Sequence, residues 1–360
     1  VSDAPRVSAV RELLANETRP HQQSVRFTLD RRPDMRRHDV ATARRLKTVS
    51  ILLALTASAC ATSRPSGSPV TPTAPAAATP AAAAARPPAG AAAPAAGTQK
   101  PTRKTVTAKD GTTIAYDMTG TGPFLILLHG GGQSARSWAD REYVTKLKER
   151  FTLITPDQRG AGDSGKPATL EAYALDTLLD DVLAVADAAG AKRFHLWGFG
   201  HGATIGRYLA ARSDRVASAV LVASEFGPAL SGVVKDAVTG MRAKWLPYVQ
   251  QQKAGTLKLD AMSLSDRTAW DNGIAASAMA LGAMLDYPAL EPAEIKAPTL
   301  WLVGAADSSA MENAKAYEGK LAGTKVTFKT LSGASYTDCF GKSEVPLAEA
   351  LPFLAAQPQP

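Results

Sequence analysis

Two kinds of apolar spacing alternate along residues 101–357. Phe124-Leu125-Ile126-Leu127-Leu128 is apolar at every position, the pattern of a strand covered on both faces. In residues 169–189 the apolar positions instead return every three or four places: Leu175, Leu178, Leu179, Val182, Leu183, Val185 and Ala186. That spacing predicts an amphipathic helix, and Gly190 suits its C-cap. Read in this way, the chain predicts strands over 104–108 and 112–118, paired as a hairpin around Asp110-Gly111. Further strands follow over 124–128, 151–155, 194–197, 216–223, 299–303 and 325–331. Helices are predicted over 136–150, over 169–189 and after Gly198–Gly202. Strands alternating with helices give an α/β class, a doubly wound, mostly parallel sheet of about eight strands. Ligands of such sheets bind at the carboxyl ends of the strands. Residues 228–296 break the alternation: they read as helical and Met-rich (Met241, Met262, Met279, Met284), without an obvious strand. They are expected to form a cap inserted into a core of 101–227 and 297–357, with the methionines as packing residues.

The first hundred residues have a different texture. Arg36, Arg37, Arg44, Arg45 and Lys47 precede the apolar run 48–59, which leads through Ala57-Ser58-Ala59 to Cys60. A basic stretch, a short apolar stretch and small residues describe a secretory signal. The segment 35–60 is similar to a bacterial lipobox leader, in which the cysteine becomes the lipidated first residue, although Ala57 stands where leucine is usual. An ordinary signal cleaved at small residues is the alternative. Met35 opens this segment, and residues 1–34 are expected to be an upstream extension outside the fold. Residues 61–100 hold 16 Ala and 8 Pro. Each proline fixes φ and removes a donor, so an extended tether is expected. These readings make the protein an exported cell-envelope lipoprotein on the extracytoplasmic side, or else a secreted or periplasmic one. Its only attachment to a membrane is through Cys60.

Charge narrows the partners. The chain carries a net +8, but from Pro101 onward 27 Lys+Arg face 27 Asp+Glu. The folded part is neutral and lacks the basic footprint of a nucleic-acid binder. Only two cysteines are present, Cys60 and Cys339, which excludes a disulfide framework. No run of about 18 apolar residues predicts a spanning helix. No H-x-x-x-H, paired cysteines or carboxylate cluster at ligand spacing suggests a metal, and no cofactor is implied.

Five short motifs occur in a telling order. His129-Gly130-Gly131-Gly132 follows the third strand, and Asp157-Gln158-Arg159-Gly160-Ala161-Gly162-Asp163-Ser164 follows the fourth. Gly198-Phe199-Gly200-His201-Gly202 joins strand to helix. Asp307 follows the seventh strand, and Gly333-Ala334-Ser335-Tyr336 comes last. From about Thr105 to Leu354 the domain resembles the α/β-hydrolase superfamily, whose oxyanion loop, D-x-R-G-x-G-x-S turn, nucleophile elbow, acid and histidine loop have this order. The resemblance implies acyl-transfer chemistry, yet Gly200 stands at the nucleophile position and Tyr336 at the histidine position. Only Asp307 is retained as the acid. A glycine at the elbow tip also resembles the non-enzymatic NDR family.

Triad catalysis needs an attacking oxygen or sulfur and a base to take its proton. Gly200 has no such atom, and a phenol with an ordinary pKa near 10 is a poor base. The oxyanion donors could persist as the N–H of His201 and one from Gly131–Gly132. Two readings follow. In one, the domain is a pseudohydrolase that binds a small molecule or partner beneath the cap. In the other, it hydrolyses esters or related acyl substrates through a displaced residue, His201 or Cys339. His129 and His195 are expected to be structural, Glu225 is a possible substitute acid, and the Tyr336 hydroxyl is expected to donate to Asp307.

Overall fold

A computed structural model describes residues 102–271 and 273–360. The leader, Cys60 and the tether lie outside the described residues. Eight strands form one sheet in the order β1-β2-β4-β3-β5-β6-β7-β8. They are β1 Thr102–Thr107, β2 Thr113–Thr119, β3 Phe124–Leu128, β4 Thr152–Pro156, β5 Phe194–Phe199, β6 Val216–Val222, β7 Thr299–Gly304 and β8 Val326–Leu331. The pairings β1–β2 and β2–β4 are antiparallel, and every other pairing is parallel. The doubly wound sheet is thus present with the strands where the apolar runs put them. β5 and β6 are buried at every position, as central strands covered on both faces must be.

The helices sort onto the two faces. α3 (Leu175–Ala188) and α4 (His201–Arg212) cover one face, joined by the cap. α1 (Arg136–Asp140), α2 (Tyr143–Leu147) and α10 (Glu344–Ala355) cover the other. Two expectations need correcting here. The single helix over 136–150 is two short ones, broken where Glu142 takes φ 64°. The reason is packing. On one continuous helix Trp138 and Tyr143 would point about 140° apart, yet both side chains are fully buried and meet edge to face at 4.9 Å. The helix over 169–189 likewise starts only at Leu175. Residues Glu171–Tyr173 form a 3-10 turn, and Ala174 is extended at ψ 144°. That break frees the Tyr173 carbonyl to accept from the Tyr287 hydroxyl at 2.8 Å.

The chain leaves the sheet after β6 and returns before β7. Between them lie α5 (Gly232–Lys253), α6 (Leu264–Asp271) and α7 (Ile274–Ala283). The outgoing and returning segments pair as a single antiparallel bridge, Gly227 with Leu290. Met279 and Met284 are buried in the core that the cap shares with the sheet, and Met241 and Met262 pack against that core, the packing role expected of them. The helices α8 (Ser308–Glu318) and α9 (Asp338–Gly341) follow β7 and β8. They bring Asp307 and Tyr336 to the carboxyl end of the sheet. Among the described residues no helix is long and apolar enough to cross a membrane.

Candidate functional site

The elbow is built as its sequence suggests. β5 ends at Phe199, Gly200 turns the chain at φ 52° and ψ −116°, and α4 begins at His201. The turn is pinned by the Gly200 N–H donating to the Val222 carbonyl at 2.9 Å, and the Gly200 carbonyl accepts from Thr204 N–H at 2.9 Å. Side chains at Gly198 or Gly202 would run into the backbone of Ala203 or of Leu128, so these flanking glycines serve close packing. Gly200 is different. A Cβ placed there would meet no backbone nearer than 3.9 Å, but it would lie 2.5 Å from the Tyr336 hydroxyl oxygen. The phenol stands where a nucleophile's side chain would project.

Tyr336 is held in that position from two sides. Its ring lies 5.1 Å from the Phe199 ring, which stacks at 4.6 Å on Phe340. Its loop is clasped by Ser335 and Asp338. The Ser335 hydroxyl donates to the Asp338 carboxylate at 2.7 Å, and the Asp338 N–H donates back to the Ser335 hydroxyl at 3.2 Å. These bonds, with Lys342 at 3.0 Å, hold the Asp338 carboxyl down at about 2. The residue as a whole is 40% exposed. Its hydroxyl, however, faces the turn, and enclosure there, with Asp307 and Cys339 nearby, pushes the phenol up to about 12. Tyr336 is therefore a neutral hydrogen-bond donor at physiological pH.

The expected Tyr336–Asp307 hydrogen bond is not formed. Asp307 is the N-cap of α8, and its carboxylate accepts from the Ala310 N–H at 3.3 Å. A backbone donor at the start of a helix satisfies this carboxylate. Both displaced candidates also lose force. Cys339 is 1% exposed, and burial together with Asp307 and Asp338 pushes its thiol up to about 11. It is neither a thiolate nor accessible. The His201 imidazole is pulled down to about 4 by burial and by neighbouring His129, too low for a base near neutrality. The substitute acid Glu225 accepts from the Ser231 and Ser309 hydroxyls at 2.8 and 3.2 Å, with no histidine to orient.

The His129–Gly132 loop is held by its own hydrogen bonds. The His129 Nε2 accepts from the Gln158 N–H at 3.0 Å, which leaves the proton on Nδ1 to donate to the Gly130 carbonyl at 2.8 Å. Buried and so bonded, His129 is fixed neutral, with its pKa lowered by burial. The Gly130 N–H is taken by the Gln133 side chain at 2.9 Å. The N–H groups of Gly131, Gly132 and His201 find no protein acceptor among the described residues. A Cβ at Gly131 would lie 3.9 Å from that of His201, so loop and helix start face each other. The sequence did not single out Gln133 or Gln158. Their roles depend on where the loops meet, which no local pattern encodes.

A serine and a histidine do meet at hydrogen-bond distance elsewhere: His195 Nδ1 and Ser218 Oγ are 2.8 Å apart. Both are completely buried, as register partners of β5 and β6, out of reach of any substrate. His195 is structural, as expected. The Asp157–Arg159 turn is structural too. The Asp157 carboxylate accepts from the N–H groups of Ala135 and Asp163 at 2.7 Å each. Arg159, wholly buried, joins Asp110 and Asp181. No group of three or more metal-binding side chains occurs among the described residues.

A family model described as alpha/beta hydrolase fold matches residues 123–273. The domain is an α/β-hydrolase fold. Among the proteins similar to this chain is the soluble epoxide hydrolase of Corynebacterium sp. (strain C12). It is 36% identical over 101 residues, covering 28% of this chain and 34% of that protein. The probable oxidoreductase EphD of Mycobacterium tuberculosis is 32% identical over 168 residues, 45% of this chain and 28% of that protein. The chain thus spans about a third of the length of the curated relatives it matches. A solved structure described under novel epoxide hydrolases from metagenomes of hot environments aligns with a TM-score of 0.53 at 23% identity. It covers 71% of this chain and 99% of that one. The family match ends at residue 273, so it includes the elbow and the oxyanion loop. The Asp307 and Tyr336 positions rest on the fold.

Proposed function

We propose that this α/β-hydrolase domain binds a small molecule at the elbow without triad hydrolysis. One observation carries the reading. The Tyr336 hydroxyl occupies the space above Gly200, so the base position has been refilled by a group that fills the nucleophile position as well. Glycine relieves the strain of the elbow turn, while the N–H groups of Gly131 and His201 remain open to an acceptor. A ligand carrying a carbonyl or carboxylate suits such donors. The phenol adds a third donor or swings aside. Placement beneath the cap is part of the same proposal, as are the absence of a nucleic-acid partner and tethering outside the cell through lipidated Cys60.

The names of the relatives favour a second reading, hydrolysis of an ester, epoxide or related electrophile through a displaced residue. The neutral, low-pKa His201 and the buried thiol of Cys339 count against it. Activated short-chain esters, an epoxide and a fluorophosphonate probe separate the two. No turnover and no label at the elbow are expected from the full chain. A covalent adduct on any residue at the carboxyl end of the sheet would overturn the proposal. Export is tested separately: acylation with a labelled fatty acid should be lost in Cys60→Ala.

A further inference from the structure

Arg207 lies two turns of α4 beyond Gly200 and is 1% exposed. No carboxylate forms a salt bridge with it among the described residues, and its Nε has no hydrogen-bond partner. A buried guanidinium so poorly neutralised is costly, and an apolar side chain of similar volume is often the more stable choice. What the arginine does touch is specific. One Nη donates to the Glu225 carbonyl, and the other donates to the Tyr208 hydroxyl at 3.2 Å. The Tyr208 hydroxyl donates in turn to the Pro288 carbonyl. Glu225 lies on the segment by which the chain leaves the sheet for the cap, and Pro288 on the segment by which it returns. Adjacent residues of the elbow helix therefore hold both.

The rest of the cap's base is tied as thoroughly. The Ser224 carbonyl accepts from Trp301 Nε1 at 2.8 Å. Phe226 N–H donates to Asn313 Oδ1 at 3.0 Å, and its carbonyl accepts from Asn313 Nδ2 at 2.9 Å. The Asn313 amide thereby imitates a neighbouring strand. Gly227 and Leu290 exchange backbone bonds at 2.8 and 3.0 Å. Within this set only the Arg207–Tyr208 pair reaches both legs of the cap from the helix that also carries His201.

We infer that Arg207 and Tyr208 are positioning residues that clamp the two legs of the cap to the elbow helix and so fix the cap relative to Gly200. The fork of the guanidinium spans a carbonyl and a phenol at once. Lysine, a point donor on a flexible stem, cannot reproduce that span. The inference does not depend on what the site binds.

Hydrogen exchange on the full chain tests it. In Arg207→Met the amides of Gly227 and Leu290 should exchange about tenfold faster than in the parent, as loss of a charged hydrogen bond implies. The amides of β5 and β6 should keep their protection. Arg207→Lys should not restore the slow rates. Tyr208→Phe, the milder change, should speed Leu290 while leaving Phe226, held by Asn313, unaffected. Two results overturn the inference: acceleration at Gly227 and Leu290 that only parallels β5 and β6, or full rescue by lysine. If the methionine variant fails to fold, the Tyr208→Phe pattern decides, and unchanged Leu290 exchange there refutes the clamp.

Discussion

Tyr336 and Gly200 exclude each other's alternatives: a side chain added at Gly200 would come within 2.5 Å of the Tyr336 hydroxyl. The glycine and the tyrosine are thus one arrangement in space. Any side chain introduced at residue 200 enters an occupied position.

Gly200→Ala should destabilise the domain by about 1–3 kcal/mol, because φ 52° is unfavourable for a residue with a Cβ and because the phenol must move. In a Tyr336→Ala background the same substitution should cost about 1 kcal/mol less, a coupling typical of residues in contact. Urea denaturation of the four proteins of this cycle measures it. Strict additivity would mean that the tyrosine yields freely.

Gly200→Ser alone should show no esterase activity. Gly200→Ser with Tyr336→His clears the clash and supplies a base, but Asp307 is engaged with Ala310 and must turn to orient the new imidazole. Weak, measurable turnover is the expected outcome if the Gly131 and His201 donors are intact. An acyl-enzyme burst assay reads it directly.

His201 should remain neutral from pH 8 down to 5 and titrate near its lowered value of about 4. Its folded pKa lies below the ordinary value of about 6.5. The unfolded chain therefore binds the proton first as pH falls, and stability should decline from about pH 6.5 towards pH 4. Histidine NMR resonances give the midpoint, and His201→Gln should make that part of the stability profile shallower, with buried His129 and His195 supplying the remaining slope.

The Ser335–Asp338 clasp should fail only in strong acid. The Asp338 pKa is depressed to about 2, so its stabilisation is complete above the ordinary carboxylate value of about 3.9 and is lost as pH falls through 2. Tyr336 fluorescence or ring resonances should change over that interval. Asp338→Asn should release the loop at neutral pH and leave the sheet untouched.

Arg159→Ala should be among the most damaging single changes, destabilising by about 3–5 kcal/mol, because it strands a buried carboxylate at Asp181. Arg159 Nε and one Nη donate to Asp181 at 2.8 Å each, inside the core. The additional change Asp181→Asn should recover part of the loss in thermal unfolding.

The fold was legible because its strands carry runs of buried residues and its helices carry a regular apolar stripe. Phe124–Leu128 and Leu175–Ala188 announce themselves in this way. Of the candidate site, the positions were legible: Gly200, Asp307 and Tyr336 lie in the segments that follow β5, β7 and β8. What those residues touch was not. A tyrosine in a late loop gives no hint that its hydroxyl reaches the elbow rather than the acid. An aspartate before a helix carries the same letters whether it orients a histidine or caps its own chain. Such choices are settled by loop paths joining residues more than a hundred positions apart. The break at Glu142 was hidden for a related reason, since only the packing of Trp138 and Tyr143 forces it.

The sealed pair of His195 and Ser218 offers a clock for opening at the buried face of the sheet. Neither side chain touches solvent in the folded domain, where Gln359 of the C-terminal segment lies beside His195. An imidazole-directed acylating reagent can therefore reach His195 only in molecules in which the C-terminal segment carrying Gln359 has lifted or the central strands have parted. The rate at which this one ring is modified under native conditions then reports how often that buried face is uncovered, separately from any motion of the cap or of the Tyr336 loop.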